Sequence, residues 1–293
     1  MRNVATFMLC LMFSLCAQAA RTEIPFHDCQ GLICMDIALD GAKARSLVLD
    51  TGDVNSVLML DAAQSLQWKL EPIGQDGKTL ENIQRGGEHN VAFGQMTLSG
   101  KFLVFDRKAF GDHPLPGDGS LAYTFFKDRR LQIDYVRHVL RLSDSPTDTS
   151  AANLPGRLEL ITFGKQGPPI VVGSPFTVNG KPVHAQIDTC YTGTLLVYDA
   201  ALDGLGLKKQ GKPEFFPNTD GGVNMLAGTA QTLGFDQRDL GGTHPTLYFV
   251  GSGDNPVHQP DALFEATVGN ALFKRSVVTL DFHSMTMDVI SAE

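Results

Sequence analysis

Two short segments of the sequence place an aspartate and a threonine at the end of an apolar stretch. Asp50-Thr51-Gly52 follows the apolar residues 46–49, and Asp188-Thr189-Cys190 follows residues 183–187. A single such aspartate is most simply explained as a cap for its own turn. Two carboxylates within hydrogen-bond reach, in contrast, share one proton and can serve as general base and general acid. Asp50 and Asp188 are therefore the candidate catalytic residues.

The two segments belong to an internal repeat, which strengthens the chemical interpretation of both aspartates. A lone Asp-Thr-Gly is expected by composition in roughly 5% of chains of this length, so one motif alone is weak. Several landmarks that recur in the same order indicate duplication. The aligned stretches are 36–58 with 175–196, 85–88 with 220–223, and 119–135 with 267–282, the last pair placing Ala122 on Gly269.

Strand patterns and glycine turns outnumber helical patterns along the chain, which predicts a mostly β fold with a few short helices. The predicted strands lie at 35–39, 46–49, 101–105, 131–133, 139–142, 170–172, 183–187, 247–250 and 277–280, and the predicted helices at 61–67, 123–127, 200–205 and 270–274.

The chain divides into four predicted segments. Residues 1–19 combine Arg2, an apolar run and a small-residue site, which is typical of a signal peptide and predicts export to the periplasm or the medium. A lipid anchor at Cys16 is disfavoured because Leu15 before it is bulky. The polar, proline-bracketed residues 143–155 predict a linker between an N-terminal lobe, 20–142, and a C-terminal lobe, 156–293.

Composition argues against several classes of partner and cofactor. Without residues 1–19 the chain has 23 basic and 32 acidic side chains, a surface that disfavours nucleic acid. No other apolar run approaches the ~20 residues of a membrane helix. The eight histidines show no metal-binding spacing, and no G-x-S-x-G motif occurs, so neither a metal nor another cofactor is expected.

Three features recur in both halves. They are an aspartate-threonine triplet at the end of a strand, a glycine pair, and an apolar-apolar-small segment before a short helix. This combination resembles the aspartic peptidases of the retropepsin-like and pepsin-like kinds. The resemblance covers about residues 29–290. It implies a two-lobed fold of duplicated β-barrel lobes, with one aspartate from each lobe meeting in a cleft. It also implies a peptide or unfolded protein as substrate and, since one chain supplies both aspartates, a monomer.

The resemblance assigns supporting roles to the neighbours of the aspartates. Thr51 and Thr189 are expected to hydrogen-bond across the lobe interface. Gly52 would let backbone N–H groups approach a carboxylate. Ala122 and Gly269 would lie directly under the loops that carry Asp50 and Asp188, where a small residue lets the two backbones approach closely.

Two glycine pairs are candidates for the tips of flap hairpins over the cleft, because paired glycines suit tight turns. They are Gly86-Gly87 and Gly221-Gly222. Ordinary turns elsewhere on the surface are an equal alternative. The apolar residues Val54, Leu58, Phe125 and Leu195 are expected to line the cleft, which predicts a preference for extended apolar peptides.

Three positions depart from the family pattern. Cys190 replaces the glycine of the second triplet, Ala122 replaces a glycine, and Asp53 stands where serine or alanine is usual. A side chain at Cys190 could crowd the pair of aspartates, and Asp53 could add a third carboxylate. The alternative function is therefore a catalytically inactive peptide-binding protein of the same fold. A weaker alternative is a protease that trims only itself or a tethered partner.

Three cysteines remain after residues 1–19. In an oxidising compartment Cys29 and Cys34, which flank a turn-like segment, are expected to form a disulfide, the alternative being two separate buried thiols. Cys190 is expected to be free in the floor of the cleft.

Overall fold

The computed structural model describes residues 21–75, 78–110, 115–144, 154–162, 169–210, 212–216, 223–240, 246–251 and 264–291. The predicted signal peptide and residues 145–153 of the predicted linker lie outside these ranges, so the segment boundaries stay predictions. The strands are β1 (Arg21–Cys29), β2 (Leu32–Leu39), β3 (Arg45–Asp50), β4 (Ser56–Met59), β5 (Glu71–Gln75), β6 (Lys78–Phe93), β7 (Met96–Phe105), β8 (Gly119–Ala122), β9 (Arg129–Asp134), β10 (Val139–Asp144), β11 (Gly156–Thr162), β12 (Pro169–Val178), β13 (Lys181–Ile187), β14 (Leu195–Val197), β15 (Pro213–Phe216), β16 (Val223–Ala230), β17 (Leu233–Phe235), β18 (Arg238–Asp239), β19 (Thr246–Gly251), β20 (Ala266–Val268), β21 (Ser276–Asp281) and β22 (Thr286–Ser291).

Within the described residues the helices are few and short, as the sequence predicts. They are α1 (Leu60–Ser65), α2 (Leu202–Leu205) and α3 (Asn270–Phe273), with 3-10 turns at Arg107–Phe110, Tyr123–Phe126 and Asp199–Ala201. The helix predicted at 123–127 is one of these 3-10 turns, because Asp128, at a φ of 62°, turns the chain into β9. No helix in the described ranges is long and apolar enough to cross a membrane.

One antiparallel sheet of six strands joins the two halves of the chain. Its order is β1, β10, β9, β21, β22 and β11, so that each half supplies three strands. At its centre Leu131 of β9 lies opposite Leu280 of β21, and Ile133 lies opposite Val278. These four side chains are buried, which makes the centre of the sheet part of the apolar core. Because each half contributes three of the six strands, the sheet fixes the two lobes relative to each other.

The face of this sheet opposite to the one that carries Leu131 and Leu280 bears ion pairs. Arg141 donates through Nη1 to Asp134 at 3.0 Å and through Nε to Glu23 at 2.6 Å. Arg130 of the first half donates through Nε to Asp281 of the second at 3.3 Å. Arg130, Asp134 and Asp281 are largely buried, and such pairs are screened less by salt than exposed ones.

Each half places its aspartate-bearing strand beside a parallel strand that reaches the same point. In the first half β3 pairs in parallel with β8, with Asp50 opposite Ala122, and β8 pairs on its other side with β4. In the second half β13 pairs in parallel with β20, which pairs on its other side with β14. The same topology in both halves confirms the predicted mostly β, two-lobed, aspartic-protease-like fold.

Each half also contains an additional hairpin. β5 pairs with β6 up to the contact between Gln75 and Lys78. β15 pairs with β16 up to the contact between Phe216 and Val223. The flap candidates Gly221 and Gly222 lie outside the described residues.

The prediction that Gly86 and Gly87 form a hairpin tip is wrong. Both residues lie inside β6, where its register against β7 shifts between Arg85 and Gly87. Gly87 has a φ of 89°, and a Cβ added at Gly86 would lie 3.2 Å from the ring of Trp68. The glycine pair therefore forms a bulge against an aromatic ring and not a turn.

A disulfide closes the hairpin formed by β1 and β2. It joins Cys29 to Cys34, as predicted, and so excludes the alternative of two separate thiols. Gln30 and Gly31 form the tip of this hairpin, and Cys190 is a free cysteine. We refer to residues 26–35 as the N-terminal hairpin.

A buried side chain at the centre of the joining sheet should contribute far more to stability than an exposed one nearby. Leu131 is fully buried, whereas Val136 in the following turn is 54% exposed. We expect Leu131→Ala to lower the free energy of unfolding by about 2–5 kcal/mol. Val136→Ala should change it by less than about 0.5 kcal/mol. Urea unfolding of both variants tests this, and equal losses would contradict the assignment of the core.

Candidate active site

The two aspartates occupy equivalent places in the two halves. Asp50 is the last residue of β3, and Asp188 directly follows β13. The backbone N–H of Asp188 donates to the carbonyl of Val268 in β20 at 3.0 Å, which continues the parallel pairing by one step. Both side chains are only partly exposed. Parallel pairing thus delivers each carboxylate to the same end of its sheet.

Thr51 and Thr189 lock the two loops together by reciprocal hydrogen bonds, as predicted. The N–H of Thr51 donates to Oγ1 of Thr189 at 3.0 Å, and the N–H of Thr189 donates to Oγ1 of Thr51 at 3.1 Å. The hydroxyls donate in turn to carbonyls of the opposite half, Thr51 to Ile187 at 2.8 Å and Thr189 to Leu49 at 2.7 Å. Both threonines are buried, so each loop satisfies the polar groups of the other.

Backbone N–H groups surround the two carboxylates. Asp50 Oδ1 accepts from Gly52 N at 3.0 Å, and Asp188 Oδ1 accepts from Cys190 N at 2.7 Å and from Tyr191 N at 3.2 Å. A Cβ added at Gly52 would lie 2.4 Å from Cγ of Asp188. The Asp50 loop therefore runs directly against the Asp188 carboxylate, and only glycine allows this approach.

Burial and the repulsion between the two negative charges raise the pKa values of the pair. Burial raises the pKa of Asp188 to about 6, against the opposing effect of its hydrogen bonds from Cys190 and Tyr191. Burial, and then the negative charge of Asp188, raise the pKa of Asp50 well above its ordinary value. The pair therefore holds a proton up to a higher pH than a single exposed aspartate would.

Cys190 brings a thiol to the place where the other triplet has a glycine. Its thiol donates a hydrogen bond to the carboxylate of Asp50. The same side chain packs against the apolar cluster of Leu32, Cys34 and Val48. Burial, followed by the charges of the two aspartates, raises the pKa of the Cys190 thiol well above its usual range. The thiol is thus held neutral, as a hydrogen-bond donor and not a nucleophile.

Asp53 stands beside the pair but is exposed and points into its own turn. Its Oδ1 accepts from Val54 N at 2.6 Å and from Asn55 N at 3.0 Å. Its negative charge contributes to the raised pKa values of both aspartates. Within the described part of the chain, no three His, Cys, Asp or Glu side chains converge on a point that could hold a metal ion.

The small residues under the aspartate loops lie where the sequence predicts them. A Cβ added at Gly269 would lie 2.3 Å from the carbonyl oxygen of Tyr191, so the backbone passes too closely for any side chain. Ala122 has room for its methyl group and donates its N–H to Oγ of Ser56 at 2.8 Å. The alanine in the first half is therefore compatible with the fold.

Sequence reasoning missed Tyr191 and Asn270, which also belong to the site. The ring of Tyr191 lies against Gly193 and Gly269, and burial raises the pKa of its hydroxyl. Asn270 bonds through its side chain to the carbonyl of Thr189 at 2.5 Å. The positions of these residues, directly after a triplet and after Gly269, were the available signal.

The apolar residues proposed to line the cleft are mostly part of the core. Leu58 and Leu195 have no exposed surface, and Phe125 packs against Phe102 with ring centroids 5.3 Å apart. Only Val54 is partly exposed. The prediction was wrong for the other three because Leu58 and Leu195 lie in strands within the core and Phe125 lies in a 3-10 turn packed on it, which a short apolar run does not reveal.

Comparison with known protein families finds no match, and no curated protein sequence matches the chain. Among solved structures, the crystal structure of Basic 7S globulin from soybean aligns with a TM-score of 0.47 and 10% sequence identity. The alignment covers 94% of this chain and 96% of that one. An identity this low carries no information about activity.

The contact between Gly52 and Asp188 should make this glycine irreplaceable. We expect Gly52→Ala to lower the free energy of unfolding by about 1–3 kcal/mol, because its methyl group would overlap the Asp188 carboxylate. Gly204→Ala is the matched control, since a Cβ at Gly204 meets nothing within 4 Å. Denaturant unfolding should leave the Gly204 variant as stable as the unchanged protein or slightly more stable. Equal effects of the two substitutions would contradict the close approach of the loops.

Proposed function

We propose that this protein is an exported aspartic endopeptidase that hydrolyses peptide bonds through Asp50 and Asp188. The observation that carries the proposal is the pair of aspartates on equivalent loops, joined by the reciprocal hydrogen bonds of Thr51 and Thr189. A pair of carboxylates with raised pKa values supplies both an acid and a base without a metal or a covalent intermediate.

The environments of the two carboxylates assign their roles. Asp188, whose negative charge raises the pKa of Asp50, acts as the base that takes a proton from the attacking water. Asp50 keeps its proton and gives it to the carbonyl oxygen of the scissile peptide. The resulting tetrahedral intermediate collapses when Asp188 passes its proton to the amide nitrogen, which leaves as an amine, while Asp50 takes back the proton of the hydroxyl group that it had protonated. The pair ends the cycle with one proton, as it began.

The proposal includes a substrate class. The hairpin of β5 and β6 offers main-chain donors and acceptors to an extended chain, so a peptide or an unfolded protein is the expected substrate. One chain supplies both aspartates, so a monomer is sufficient for activity. Export is supported by the signal-like residues 1–19 and by the Cys29–Cys34 disulfide, which suits an oxidising compartment.

The second candidate function is a peptide-binding protein that has lost catalysis. Cys190 favours it, because its thiol occupies space next to Asp50 and donates a hydrogen bond to that carboxylate. A donor at this position competes with water and substrate for the same oxygen atoms. Binding and cleavage assays on the same peptide separate the two functions.

Replacing either aspartate by asparagine should abolish cleavage. An amide at Asp50 or Asp188 can no longer share the proton, and both losses should be similar, on the order of a thousandfold or more in kcat/KM. Release of fragments from an unfolded protein, quantified by mass spectrometry, measures this.

The matched control is Asp53→Asn, which removes a neighbouring charge while its side-chain oxygen can still accept from Val54 and Asn55. It should keep kcat/KM within about tenfold of the unchanged protein. If the unchanged protein cleaves nothing between pH 4 and 8 but binds peptides as well as the asparagine variants do, the peptidase assignment is wrong and the binding protein replaces it.

The raised pKa values predict an acid limit to activity. Below about pH 6 Asp188 becomes protonated, the pair loses its base, and kcat/KM should fall about tenfold per pH unit. Asp53→Asn removes a charge that raises the pKa values of both aspartates, so it should move this limit to lower pH. Profiles of kcat/KM from pH 4 to 8 test both statements, and an unchanged limit in the variant would refute the role of Asp53.

A further inference from the structure

The side chain of Asn270, the first residue of α3, connects three distant segments. It is 2% exposed. Nδ2 donates to the carbonyl of Thr189 at 2.5 Å and to the carbonyl of Gly31 at 3.2 Å. Oδ1 accepts from the hydroxyl of Tyr135 at 2.7 Å. Both amide hydrogens thus have acceptors, one on the aspartate loop and one on the tip of the N-terminal hairpin.

The N-terminal hairpin touches the Asp188 loop at further points. A Cβ added at Gly31 would lie 3.3 Å from the side chain of Thr192. Cys29 and Cys190 both pack on the cluster that includes Cys34. A hairpin from the first half, closed by a disulfide, therefore rests on the aspartate loop of the second half, and Asn270 bonds to both.

The first half supports its aspartate differently. The residue equivalent to Asn270 is Tyr123, directly after Ala122. Its hydroxyl donates to the carbonyl of Pro169 at 3.4 Å, and its ring stacks on Phe282 at 5.8 Å. The amide bridge is therefore a feature of the Asp188 side alone.

We propose that Asn270 is a positioning residue for Asp188 and that it makes the geometry of this aspartate depend on the Cys29–Cys34 disulfide. The proposal rests on the proposed function. The carboxylate of Asp188 is oriented by N–H groups of Cys190 and Tyr191, so its direction is set by the course of residues 189–192. Asn270 holds that course at the Thr189 carbonyl, and the disulfide holds the Gly31 carbonyl where the same amide group reaches it.

Asn270→Ala removes both donors and is the first test. We expect kcat to fall roughly 10–100-fold, because small misplacements of a catalytic group have effects of this size, while KM stays within about threefold. Tyr135→Phe is the matched control, since it removes only the bond to Oδ1, and it should leave kcat within about threefold. Asn270→Asp keeps the side-chain volume and provides a second variant should the alanine variant fold poorly.

Labelling of the Cys190 thiol is a readout that does not depend on cleavage. This thiol is shielded by the packing of its loop against the hairpin, so a loosened loop should react faster with N-ethylmaleimide. Peptide mapping by mass spectrometry identifies Cys190 separately from other cysteines. We expect about tenfold faster labelling in Asn270→Ala and little change in Tyr135→Phe.

Mild reduction of Cys29–Cys34 in the folded protein tests the disulfide. In the unchanged protein it should speed the labelling of Cys190 and lower kcat. In Asn270→Ala, reduction should change the labelling rate and kcat little further, because the substitution and the reduction both break the same connection between the N-terminal hairpin and the Asp188 loop.

The proposal is wrong if Asn270→Ala lowers thermal stability but leaves both kcat and the labelling rate within threefold, or if reduction acts equally on both proteins. If the unchanged protein cleaves no peptide, the proposed function fails separately, and the labelling rates alone decide whether Asn270 holds the loop.

Discussion

The arrangement of the site depends on one interaction, the exchange of hydrogen bonds between Thr51 and Thr189. Each hydroxyl accepts the N–H of the other threonine and donates to a carbonyl of the opposite half. Both residues are buried, so separating the halves would leave several polar groups without partners. Each loop therefore relies on the other to satisfy its buried polar groups, and the pair of aspartates requires both halves in contact.

Equivalent backbones nevertheless give two chemically different carboxylates. The Asp50 loop passes Asp188 with Gly52, which has no side chain, whereas the Asp188 loop passes Asp50 with Cys190. The Cys190 thiol donates a hydrogen bond to Asp50, and the charge of Asp188 raises the pKa of Asp50. These differences distinguish the two carboxylates. Directional catalysis needs such an asymmetry, because one group must be ionised while the other holds a proton.

The sequence predicts those features that repeat or that lie close together along the chain. The ordered repeat predicts two similar halves, and the resemblance to aspartic peptidases predicts the pairing of Thr51 with Thr189 and the close passage at Gly269. Cys29 and Cys34 are close enough in sequence to predict their bond. Gly86 and Gly87 were misassigned because a glycine pair suits a bulge and a turn equally, and only the register with β7 decides between them. The contact of Asn270 with Gly31 spans 239 positions and has no periodic signal.

Strand β1 explains how a hairpin of the first half can support an aspartate of the second. Its first residues pair with β10 in the joining sheet, and its last residues pair with β2, which pairs with the aspartate-bearing β3. The N-terminal hairpin is thus anchored at both ends. The two lobes therefore contact each other in three places: through this hairpin, through the pairing of β9 with β21, and through Thr51 and Thr189.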